Sequence, residues 1–131
     1  MNCKKMITTF LFLLSTQAIG SEITDYRIYT SDYSVKNQSE EFAAFVRKNN
    51  PCVTVLKLKT GESTEYCELG EKKTKYKNTN LKLDYPTAYV MDMSMWSGDV
   101  TFTVATPWSE LLCSIDVKTK QVNCELPEKY K

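Results

Sequence analysis

Three stretches of the chain alternate between apolar and polar residues with period two, the pattern of half-buried antiparallel strands. Residues 52–69 hold two β-prone runs around Lys59-Thr60-Gly61, residues 87–106 two more around Trp96-Ser97-Gly98-Asp99, and residues 111–126 a further two around Lys118-Thr119-Lys120. Each reads as a hairpin. A four-residue loop at 58–61 pairs Lys57 with Glu62, and the equivalent loop at 117–120 pairs Asp116 with Gln121; aligning the two sets Gly61 against Lys120. Counting outward in the last hairpin, Ile115 faces Val122 and Leu111 faces Leu126, with Ser114 and Asn123 on the other side. In the middle hairpin Met91 faces Val104, Met93 faces Phe102 and Met95 faces Val100, so the methionines read as core packing. Asp92 opposite Thr103 and Ser94 opposite Thr101 form its polar face.

The same registers set Cys52 opposite Cys67 and Cys113 opposite Cys124. Each pair lies an odd number of steps from the loop-closing pair. If that closing pair is hydrogen-bonded, the cysteines occupy non-hydrogen-bonded sites, where Cα atoms approach to roughly 4.5 Å, within disulfide reach. The reading is therefore two intra-hairpin disulfides, Cys52–Cys67 and Cys113–Cys124.

The N-terminus supports an oxidising compartment. Lys4 and Lys5 precede an apolar stretch centred on Phe10-Leu11-Phe12-Leu13-Leu14, and Ala18-Ile19-Gly20 offers small residues for cleavage. This is the layout of a secretory signal peptide, too short for a stable membrane anchor. The expectation is a signal peptide at 1–20 and a single exported β-rich domain at 21–131, periplasmic or secreted. Cys3 leaves with the leader, and the four remaining cysteines are an even set, as a disulfide framework requires.

Elsewhere, Asn37-x-x-Glu40 resembles a capping box, and Phe42, Phe45 and Val46 follow at helical spacing, with Arg47 and Lys48 at the end. These features predict one short helix before Asn49-Asn50-Pro51. Tyr26–Thr30 reads as a strand. Residues 70–80 lack apolar periodicity and read as an exposed connection in which Lys72, Lys73, Lys75 and Lys77 surround Tyr76. The expected fold class is α+β: a mostly antiparallel sheet of hairpins with one short helix packed on it and two intra-hairpin disulfides.

Charge and composition narrow the function. The sequence has 17 basic and 16 acidic residues and no histidine. With Lys4 and Lys5 removed the balance is 15 to 16, a net charge of −1, unlike the basic surface of a nucleic-acid binder. Without histidine there is no Ser-His-Asp triad and no histidine metal site, and disulfides leave no thiol nucleophile. Asp92, Asp99 and Glu110 are the carboxylates near the middle hairpin, but surface solubility accounts for each. The chain is read as a non-enzyme, without metal or cofactor. A small exported, disulfide-stapled sheet with aromatics that the core does not demand resembles the format of bacterial periplasmic immunity proteins and lysozyme inhibitors. That format implies a protein partner, a toxin or hydrolase, occluded by a rigid surface. Trp96, Asp99, Tyr76, Lys73 and Lys75 are the candidate partner-binding residues. The alternative is a secreted glycan-binding or toxin-subunit protein, with Trp96, Trp108, Tyr76 and Tyr85 as stacking candidates.

Overall fold

A computed structural model describes residues 23–70 and 79–130. It consists of two four-stranded antiparallel meanders of the same plan. The first contains β1 (Tyr26–Ser31), β2 (Phe42–Arg47), β3 (Asn50–Lys57) and β4 (Ser63–Tyr66) in sequential order. A two-stranded connection follows, β5 (Glu68–Leu69) with β6 (Thr79–Asn80), then one short helix, α1 (Leu81–Asp84). The second meander contains β7 (Tyr89–Trp96), β8 (Asp99–Ala105), β9 (Glu110–Asp116) and β10 (Gln121–Glu125), again paired in order. β1 lies against β7 on one flank. On the other, the Cys124 N–H donates to the Gly70 carbonyl at 3.2 Å, bringing β10 to the end of β5. The two sheets thus enclose one core, built from Val46, Val53, Val90, Val100, Phe102, Val104 and Ile115, with Leu69 and Leu81 buried from the connection.

The first and last hairpins have the expected registers. Val53 pairs with Tyr66 and Val55 with Thr64, while Ile115 pairs with Val122 and Cys113 with Cys124. Both disulfides are present, Cys52–Cys67 with Cα atoms 4.7 Å apart and Cys113–Cys124 at 4.1 Å. Gly61 has φ of +73° and Lys120, its counterpart in the last hairpin, has φ of +59°. Both loops therefore need a left-handed residue at the same point, and only the first supplies glycine.

Three expectations are corrected. The helix expected from Asn37 is absent: Phe42–Arg47 is β2, between β1 and β3. Its Ala43, Ala44, Phe45 and Val46 are all buried, because a central strand covered on both faces carries a continuous apolar run without period-two alternation. The helical spacing of Phe42, Phe45 and Val46 is a by-product of that run. Asn37 lies in a turn closed by the Ser34–Ser39 bridge, and its N–H donates to Ser34 Oγ rather than capping a helix. The one described α-helix is α1, where the Asn80 side chain accepts from the amides of Lys82 and Leu83 at 3.0 and 3.1 Å.

The second correction is in the middle hairpin. Pairing runs as expected from Trp96–Asp99 to Asp92–Thr103, then slips by one residue at a β-bulge, so Val90 rather than Met91 faces Val104. Met91 is 43% exposed and Val90 only 2%. Without the bulge Val90 would share the polar face with Asp92 and Ser94. The extra residue turns it inward while keeping Asp92 outside. Third, Thr79 and Asn80, expected in the exposed connection, pair with β5 as β6.

Candidate functional site

The β8–β9 pairing joins the middle and last hairpins into one sheet. Its outer face is laid out in cross-strand rows. Ser94, Thr101, Ser114 and Asn123 make one row across the four strands, and Asp92, Thr103, Leu112 and Glu125 the next. Trp96, Asp99, Asp116 and Gln121 form a third at the end nearest the β7–β8 and β9–β10 turns. Together the first two rows floor an open trough of about 890 Å³. The four strands carry five carboxylates, Asp92, Asp99, Glu110, Asp116 and Glu125, and no lysine or arginine.

Several of these groups are already engaged. Ser94 and Thr101 share a hydroxyl hydrogen bond of 2.8 Å, and Asp92 Oδ1 accepts from the Thr103 N–H at 3.1 Å. Asp116 Oδ1 accepts from the backbone amides of Lys118 and Thr119, at 2.8 and 3.0 Å. Those two donors, Thr119 first, hold the Asp116 carboxyl below the usual range. Glu110 pairs with Lys129 at 3.2 Å.

Trp96 is 84% exposed. Its partner across the turn is Asp99, and Ser97 and Gly98 between them have φ of +51° and +86°, a two-residue turn of the left-handed kind that matches strand twist. The indole is therefore held at the corner of the face by a tight hairpin. Trp108 is 90% exposed, in the β8–β9 connection at the opposite end of the sheet. Tyr85 is half-exposed, and the Arg27 guanidinium lies 5.8 Å from its ring and from that of Tyr89, tying the loop after α1 to β1. Tyr76, Lys73 and Lys75 lie outside the described residues, as does the 1–20 segment. The structure thus joins Trp96 and Asp99 and adds the carboxylate and hydroxyl rows. Alternation within each hairpin marked those rows, but placing them on one face requires the β8–β9 register.

A second concavity opens where the β3–β4 and β9–β10 turns converge. Phe42, Val55, Tyr66 and Val117 line it, with Lys57, Lys118 and Lys120 at its rim beside Glu41 and Glu62, and its volume is about 330 Å³. No family model, curated protein or solved structure matches this chain.

Proposed function

We propose that the protein is an exported, non-catalytic binding module that occludes a basic partner protein, as a periplasmic immunity protein or enzyme inhibitor does. The observation that carries this reading is Trp96, 84% exposed at the corner of a sheet face whose strands hold five carboxylates and no basic residue. An exposed indole on a rigid hairpin is the residue type that dominates protein interfaces. Strands that carry carboxylates and no basic residue give the face an acidic bias, which steers an oppositely charged partner. The Cys113–Cys124 disulfide and the hydrogen-bonded sheet keep the surface ordered before binding, which lowers the entropic cost of association. The carboxylates do not form an evident acid–base pair: Asp92 and Glu125 stand on opposite edge strands of their row, Asp116, although beside Asp99, caps its own turn, and Glu110 is paired with Lys129.

One observation favours a second reading, glycan binding. The row Ser94, Thr101, Ser114 and Asn123 is neutral and rich in hydroxyl and amide groups, and it floors the trough. Such groups suit sugar hydroxyls, and Trp96 would stack at the edge. The test is affinity capture from periplasmic extract in parallel with binding to immobilised cell-wall polysaccharide. The first reading expects one basic protein, held by the wild type, released by salt and not held by Trp96→Ala. Retention on polysaccharide with no protein captured would replace it with the second.

A further inference from the structure

The opening between the β3–β4 and β9–β10 turns is independent of the acidic face and has a different chemistry. Its floor is apolar: Val55 and Val117 are buried, Phe42 is half-buried, and the buried Tyr66 also lines it. Its rim carries three ammonium groups and two carboxylates, and Lys120 is paired with Glu62 at 2.9 Å. That pair spans the rim from one turn to the other. Among the described residues, Lys57 and Lys118 have no carboxylate within ion-pair distance. At about 330 Å³ the cavity lies at the small end of ligand pockets. Burial pushes the Tyr66 hydroxyl above the ordinary phenol range.

We propose that this mouth, with its Phe42–Val55–Val117 floor beneath Lys57 and Lys118, is a binding site for a small amphipathic anion, a compact apolar body bearing one carboxylate. The apolar body displaces water from the floor, and the carboxylate meets the two ammonium groups at the rim. The acidic face of the second sheet has no basic strand residue to meet a carboxylate, so it offers no competing site of this kind.

The test is a titration of the full exported chain with hexanoate and with 3-phenylpropanoate, read by amide chemical shifts. Saturable shifts are expected at Phe42, Tyr66 and Val117. Hexylammonium, with a chain of the same length and the opposite charge, should bind about tenfold more weakly or worse, and so should hexanoate to Lys57→Glu/Lys118→Glu. Val117→Trp, which fills the cavity, should abolish the shifts, and Trp96→Ala should leave them unchanged, which separates this site from the partner-binding face. Absence of saturable shifts at these amides, equal binding of hexylammonium, or full hexanoate affinity in the charge-reversed variant would each overturn the proposal.

Discussion

The ammonium of Lys120 lies 2.9 Å from a carboxylate oxygen of Glu62, 58 residues away in sequence, and joins the last hairpin turn to the first. The hydrogen bond and charge of Lys120 hold Glu62 below the ordinary carboxylate range, and Glu62 holds Lys120 above the ordinary ammonium range. The depressed Glu62 contributes stability above its unfolded value that is lost as pH falls through the folded one. The raised Lys120 contributes below its unfolded value and loses this as pH rises through the folded one. With unfolded values near 4.3 and 10.4, the contribution spans roughly pH 5 to 10. Both side chains are more than half exposed, so the pair is solvent-screened and its effect is small and salt-sensitive. Thermal unfolding of wild type and Glu62→Gln should differ in that window, and the difference should shrink as pH falls below the unfolded carboxylate value of about 4.3 and vanish only below the lower, folded one.

Asp116 should reinforce the acid sensitivity. Its depressed carboxyl accepts from the amides of Thr119 and Lys118, so its contribution also disappears as pH falls through its folded value. Asp116→Ala should lower the unfolding midpoint at neutral pH and have less effect in acid. An unchanged midpoint at pH 7 would mean that the turn does not depend on this cap.

The bulge takes Met91 off the buried face to which Phe102 belongs. Phe102 is 3% exposed, and its truncation to alanine should cost about 3–5 kcal/mol. Met91 is 43% exposed despite the methionine alternation, and Met91→Ala should stay within about 0.5 kcal/mol. Denaturant unfolding measures both. A large loss at Met91 would place the register slip elsewhere.

Trp96→Ala should leave folding stability within about 0.5 kcal/mol of wild type, because the indole touches little of the core. Affinity for the partner should fall by about 2 kcal/mol or more. Calorimetry of binding alongside chemical unfolding separates the two effects.

Peptide mapping without reduction should find Cys52 linked to Cys67 and Cys113 to Cys124. Replacing either pair by alanines should cost roughly 2–4 kcal/mol.

Local pairing was legible because alternation and turn chemistry are local. The 52–67 and 113–124 registers followed from counting outward from two loops. β2 was not legible, since Phe42-Ala43-Ala44-Phe45-Val46 fits a helix face as well as a doubly buried strand. Only the flanking of β2 by β1 and β3 decides between them. The exposure of Trp96 agrees with its position two residues from Ser94 and four from Asp92, on the polar face of the same strand. The mouth pocket was not legible, because Phe42, Tyr66 and Val117 come from three distant segments and meet only when the two meanders close on one another.

Each disulfide joins cysteines that are consecutive in the domain, and none connects one meander to the other. For a chain threaded through a membrane N-terminus first, this sets an order of emergence. Cys52 meets Cys67 before Cys113 has crossed, and Cys113 then finds Cys124 as its next available thiol. An oxidase that joins thiols as they appear forms both native bonds at the first attempt. If the chain is exported in this way, as proposed above, its maturation requires oxidation but no reshuffling of mispaired bonds.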